Sequence, residues 1–182
     1  MRKILLTSAG FNNKKLKKLF LEQIGKPAEE IKAIFVPTAA INEDAKAMLP
    51  FCMQDLTDAG LLPDNIFTYD LDYLLSYVEG KLYDAIYFCG GSPAHLLNRV
   101  NANGFNQILN KLVDEGMFYI GVSAGSIIAT SNMSNNLGYV NCILSVHRQN
   151  GSPCGTFNGG DNVYLTDEQA IWITGDKVEI IE

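Results

Sequence analysis

Ser123 is the residue whose neighbours best suit it to act as a nucleophile. It stands in Gly121-Val122-Ser123-Ala124-Gly125, a Gly-x-Ser-x-Gly run of the kind that turns a strand sharply into a helix. A serine hydroxyl at its free pKa attacks carbonyls poorly, so such a site needs a base within hydrogen-bond reach. Histidine suits that role because its unperturbed pKa lies near neutrality. The chain has two, His95 and His147. His95 follows Gly90-Gly91-Ser92-Pro93 in the first turn of an expected helix, where the helix dipole disfavours a charged imidazole. It reads as a packed or solvated helix residue. His147 closes a strand-like run over 142–146, just before Arg148-Gln149-Asn150-Gly151. A histidine at a strand's carboxyl end can reach an elbow serine at another such end, and His147 is the favoured base. A developing oxyanion also needs donors. The Ala124 N–H at the helix start offers one. The Gly90-Gly91 turn offers unobstructed N–H groups for a second, although glycines there equally suit a tight turn at positive φ.

The elements that must hold these groups alternate along the chain. Apolar runs at 3–8, 33–37, 65–70, 85–89 and 118–122 read as strands. Between them, helices are expected from Asn13 to about Ile24, from Asn42 to Ala59 with Gly60 as the stop, and over 71–78, 93–100 and 105–115. A further helix over 124–130 follows the elbow. This succession implies a mainly parallel sheet with right-handed crossovers and helices on both faces, with the site beyond the strands' carboxyl ends. From 131 to 160 the chain turns rich in Asn, Gly and Ser around a strand at 142–147. Short strands at 162–166, 169–174 and 178–181 follow, the last two joined by a Thr174-Gly175-Asp176-Lys177 hairpin turn.

Length and composition fit one domain over residues 1–182. A net charge of −6 argues against non-specific nucleic-acid or anionic-membrane binding. The one basic cluster, Lys14-Lys15-Leu16-Lys17-Lys18, reads as the solvated face of an amphipathic helix. No run resembles a secretory leader or a membrane span. Cys52, Cys89, Cys142 and Cys154 match no zinc spacing and are expected as free thiols in a reducing cytoplasm.

Taken together, the strand followed by Gly90-Gly91, then Leu96-Leu97, then Tyr119-Ile120-Gly121-Val122-Ser123-Ala124-Gly125, then a strand ending in His147, resembles the peptidase E family. These S51 serine peptidases include aspartyl dipeptidases and the related cyanophycinases. The resemblance runs from Lys3 to about His147 and resumes at 164–181, where Leu165-Thr166-Asp167-Glu168-Gln169-Ala170-Ile171 is similar to the family's closing hairpin. It implies a three-layer α/β/α sandwich, the fold shared with class I glutamine amidotransferases. It also implies Ser123 as nucleophile, His147 as general base, and the Gly91 and Ala124 amides as oxyanion hole. The implied substrate is a short peptide, with no metal or organic cofactor.

Three departures stand beside the resemblance. The chain has Gly90-Gly91-Ser92-Pro93 where the family usually carries Gly-Gly-Asn-Thr, and Val146-His147-Arg148 where it usually carries Pro-His-Tyr or Pro-His-Phe. The stretch after the histidine is shortened. No Asp or Glu lies between Ser123 and His147, where the family places its orienting acid. Asn135, Asn136, Asp161, Asp167 and Glu168 are the candidates for that third role, none of them singled out. The expected function is therefore a cytoplasmic serine peptidase of impaired turnover. The alternative is a homologue that binds a small molecule or peptide without cleaving it.

Overall fold

The computed structural model describes residues 1–182. Ten strands form in chain order: β1 (Lys3–Thr7), β2 (Ala33–Val36), β3 (Ile66–Thr68), β4 (Ala85–Phe88), β5 (Phe118–Val122), β6 (Ile143–Ser145), β7 (Gly155–Thr156), β8 (Asn162–Tyr164), β9 (Ala170–Thr174) and β10 (Lys177–Ile181). The helices are α1 (Lys14–Ile24), α2 (Glu43–Ala47), α3 (Leu49–Asp58), α4 (Tyr77–Gly80), α5 (Pro93–Ala102), α6 (Phe105–Asp114) and α7 (Ala124–Ile127). The main sheet has the order β3-β2-β4-β5-β1-β9-β10-β7. Its first five strands are parallel, and β9, β10 and β7 continue it antiparallel. β6 and β8 make a separate parallel ladder.

Alternation along the strands fixes the layers, because successive side chains point to opposite faces. Leu5, Phe35, Tyr87 and Ile120 pack with Leu16 and Phe20 of α1 and Leu56 of α3. Their neighbours Ile4, Leu6, Ile34, Ile86 and Tyr119 pack with α5, α6 and α7 on the other side. The result is the expected three-layer α/β/α sandwich. Strands buried on both faces read as continuous apolar runs, as Ile86-Tyr87-Phe88 does with every residue fully buried.

Three helices differ from expectation. Residues 71–76 are not helical: Leu71 takes a φ of 53°, and the helix begins only at Tyr77. Ser76 caps it, accepting the Glu79 N–H while the Glu79 side chain accepts the Ser76 N–H, a reciprocal capping box. The helix expected from Asn42 to Ala59 is broken at Met48, which ends α2 and caps α3. Pro50 in the first turn of α3 is the cause, since proline starts helices readily but cannot sit inside one. The elbow helix is also shorter than expected and stops at Ile127. The chain then folds back, with Leu137 N–H donating to the Ile128 carbonyl and Tyr139 N–H to that of Ala129.

Candidate active site

The elbow forms because β5 and α7 approach too closely for side chains. A Cβ on Gly121 would lie 2.7 Å from the Gly125 backbone, and one on Gly125 would lie 2.7 Å from the Phe88 carbonyl oxygen. Polar bonds lock the crossing. The Ser126 hydroxyl lies 2.8 Å from both the Thr7 and Gly121 carbonyls, Tyr119 donates to the Gly125 carbonyl at 2.7 Å, and Ser123 N–H donates to the Thr7 carbonyl at 3.0 Å. Held this way, Ser123 takes φ 48° and ψ −100°, a conformation that costs a non-glycine residue about 1–3 kcal/mol. Gly125→Ala should lower stability by about 1–3 kcal/mol through overpacking against Phe88. A denaturant midpoint unchanged from wild type would contradict this reading of the crossing.

The histidine arrives from the small ladder. Leu165 N–H donates to the Ser145 carbonyl and Arg148 N–H to the Leu165 carbonyl, so the chain turns just past β6. His147 makes that turn at φ 55°. Its Nε2 lies 3.2 Å from the Ser123 hydroxyl oxygen, and its Nδ1 lies 2.7 Å from Oδ1 of Asp167. Both side chains are about half exposed, 53% and 51%.

Asp167 sits in the turn between β8 and β9. Gln169 holds that turn: its N–H donates to the Thr166 carbonyl, its Oε1 accepts the Thr166 N–H, and its Nε2 donates to the Ser152 carbonyl. Partial burial alone would raise the Asp167 carboxyl, but hydrogen bonds from Ser8 and His147 outweigh it and hold the group below its ordinary value. The carboxylate is therefore ionised at neutral pH, and an imidazole that gives its Nδ1 proton to it presents the Nε2 lone pair to Ser123.

The expectation of a site lacking its orienting acid is overturned. An acid that follows the histidine in sequence meets its far ring nitrogen, so the empty interval between Ser123 and His147 does not leave the imidazole unpartnered. Asp167 takes the position and the other candidates do not. Glu168 accepts from Asn12 Nδ2, while Asp161 lends its carbonyl to Ile143 N–H. Asn135 offers its carbonyl to Asn101 Nδ2, and the Asn136 side chain bonds Met133 and Gly138. The ground for expecting impaired turnover is removed.

Ser8 was not anticipated. Fully buried just past β1, its hydroxyl donates to Asp167 Oδ1 at 2.8 Å and accepts the His147 backbone N–H at 2.7 Å. One side chain thus fixes both the carboxylate and the backbone of the histidine. Its only sequence signal is position, at the carboxyl end of a central strand. Ser8→Ala should lower kcat about tenfold with a small change in KM, since a hydrogen bond to a charged group contributes about 1.5–3 kcal/mol. An unchanged kcat would remove Ser8 from the support of the site.

Of the two amides expected to receive an oxyanion, that of Ala124 follows Ser123 directly and Gly91 lines the same cavity as Ser123. Ala124 is the first residue of α7, where an N–H has no intrahelical carbonyl to bond. The Gly91 N–H donates to no backbone carbonyl or side chain of the protein. Gly91 takes φ 135°, and a Cβ there would lie 2.1 Å from the Ala39 carbonyl oxygen. Only glycine fits, so Gly91→Ala should displace the turn and cut kcat on the order of 10²-fold, the scale of one lost oxyanion donor. Full activity of the variant would remove Gly91 from that role. The Ser92-Pro93 pair has a local reason: Ser92 caps α5, accepting the His95 N–H, with Pro93 at the first helical position. His95 lines a separate depression with Asp70 and Arg99 and does not reach Ser123.

A cavity of about 220 Å³ opens beside these groups, with Ser8, Gly90, Gly91, Ser123 and His147 in its lining. No group of three or more His, Cys, Asp or Glu side chains converges as a metal site. No helix is long and apolar enough to cross a membrane.

Several known proteins resemble this chain. The profile of peptidase family S51 matches residues 4–139. An uncharacterized peptidase of Pasteurella multocida is 31% identical over 120 residues, 63% of this chain and 55% of that protein. One from Listeria monocytogenes is 28% identical over 102 residues, 55% of this chain and 49% of its own length. The chain thus spans about half the length of the curated relatives it matches. A Listeria monocytogenes EGD-e crystal structure, provisionally named a peptidase E protein, superposes with a TM-score of 0.75 at 21% identity, covering 100% of this chain and 98% of that one. A peptidase from an acI-B1 Actinobacterium gives 0.55 at 19% identity, over 81% and 68% of the two chains. These likenesses carry the fold.

Proposed function

The chain belongs to peptidase family S51, and on that premise we propose that it hydrolyses short peptides by a serine mechanism at Ser123. The observation that carries the reading is the continuous chain of contacts from Ser123 Oγ through both ring nitrogens of His147 to Asp167. Ser123 attacks the scissile carbonyl as His147 Nε2 takes its proton. Asp167 keeps the imidazole in the required tautomer and stabilises the imidazolium that forms. The Gly91 and Ala124 amides receive the oxyanion, and His147 returns the proton to the leaving amine. Water then attacks the acyl group on Ser123, giving its proton to His147 Nε2, and the carboxylic acid leaves as Ser123 regains its proton.

The test is release of free amine from a panel of di- and tripeptides, with aspartyl dipeptides among them. Turnover in the ordinary range of roughly 1–10³ s⁻¹ on at least one short peptide is expected. A folded protein that cleaves none of them would overturn the peptidase reading.

A further inference from the structure

The cavity that holds Ser123 is walled on its outer side by α2 and α3. Ala45, Met48, Leu49, Phe51 and Cys52 face it, and Asp55 is the one Asp, Glu, Lys or Arg in its lining. Met48 and Phe51 are 55% and 61% exposed, so large apolar side chains that the core does not use gather at the lip of this cavity. Apolar walls with a few convergent polar groups are what a small-molecule site presents.

No cation enters it. Arg148 lines an adjoining, wholly polar depression that shares His147 with this cavity, its guanidinium 5.7 Å from the Tyr164 ring centroid. Lys46 and Arg99 line a third depression beyond Leu49. Arg99 there donates to the Leu71 carbonyl, and Lys46 pairs with Glu43. At Asp55, Tyr87 and the Phe11 N–H both donate to Oδ2, while burial pushes its carboxyl up. A substrate carboxylate entering this cavity would lose water, meet Met and Phe side chains, and face another acid with no counter-charge.

We propose that the cavity beside Ser123 seats an uncharged apolar side chain of the substrate and rejects an acidic one. This rests on the peptidase reading and specifies its substrate class. A carboxylate left unpaired away from water costs several kcal/mol, whereas a Leu- or Met-sized side chain gains from burial against the same walls.

Single-residue anilides force the substrate side chain onto the acyl side, so leucyl-, methionyl-, aspartyl- and lysyl-p-nitroanilides provide the test. The expected kcat/KM for leucyl and methionyl exceeds that for aspartyl and lysyl by about a hundredfold. Equal or higher values for the aspartyl or lysyl anilide would overturn the proposal. Met48→Arg, at an exposed position, should shrink the leucyl-to-aspartyl ratio at least about tenfold by adding the missing cation. An unchanged ratio would place the side chain elsewhere.

Binding separates this proposal from the peptidase reading. Leucinamide and aspartic acid α-amide are titrated calorimetrically into the Ser123→Ala protein. Should no short peptide and no anilide be cleaved while leucinamide binds the more tightly, the peptidase reading falls and the cavity assignment stands. Equal binding, tighter aspartyl binding, or no binding of either overturns the assignment.

Discussion

Ser123→Ala lowers kcat on short peptides on the order of 10⁶-fold, the largest effect expected of any single substitution in this protein. Groups that act as one unit lose nearly everything when one is removed. Without the hydroxyl, His147 Nε2 has no proton to take, and what remains is the Gly91 and Ala124 amides around a bound peptide. The His147→Ala and Ser123→Ala/His147→Ala proteins should therefore fall to nearly the same floor as Ser123→Ala. A double variant slower than either single one by the product of their effects would mean the two residues act independently. Stability should move in the opposite direction from activity. The Ser123 side chain makes one polar contact, with His147, and alanine there keeps the elbow. A Ser123→Ala protein that unfolds would show instead that the hydroxyl supports the fold.

Asp167→Asn is expected to lower kcat about 10⁴-fold with KM little changed, as amide replacement of the orienting carboxylate does in a serine protease. The amide can offer its N–H to Nδ1 and so favour the tautomer that carries the proton on Nε2, where it blocks general-base action. Acidification probes the same contact. Bonds from Ser8 and His147 hold the Asp167 carboxyl below its ordinary value. A depressed carboxyl gives stability that is present above its unfolded pKa and lost as pH falls through the folded one, so the Asp167–His147 contact persists throughout the neutral range. Acid loss of activity near neutrality is therefore not loss of the Asp167 charge. The falling acid limb of kcat/KM should consequently keep its shape in Ser8→Ala, with only its height reduced. A new acid limb at higher pH in that variant would mean that Asp167 had begun to titrate there.

Most of this architecture is legible in the residues. Ile86-Tyr87-Phe88 and Phe118-Tyr119-Ile120 announce strands buried on both faces because nothing polar interrupts them. Gly121 and Gly125 announce a strand and helix in backbone contact, which is why Ser123 could be placed at an elbow before any fold was known. His147 was legible by elimination and by its place at a strand end.

What escaped did so for physical reasons. The reading of 71–78 as a helix followed its apolar residues and passed over the capping signal at Ser76 and Glu79, which starts the helix at Tyr77. Pro50 marked a break that helix periodicity across Met48 concealed. β7 is two residues long and exists only through its pairing with β10, which no local pattern encodes. Asp167 and Ser8 reach His147 from positions 20 and 139 residues away in sequence. Such contacts depend on the side-by-side packing of β1, β5 and β9 and on the turn held by Gln169, and spacing in the chain carries no trace of them. Asp167 is one of five candidates for the orienting role in the sequence, and no residue pattern separates it from the other four.

The central claim is that Ser123 is a nucleophile made reactive by His147. Its most direct test is covalent labelling of the intact protein by a fluorophosphonate, with the modified peptide identified by mass spectrometry. The account predicts phosphonylation at Ser123 alone, with a labelling rate that collapses in His147→Ala and falls strongly in Asp167→Asn. An inert Ser123 in folded protein, a label on another serine, or a rate indifferent to His147 would contradict it.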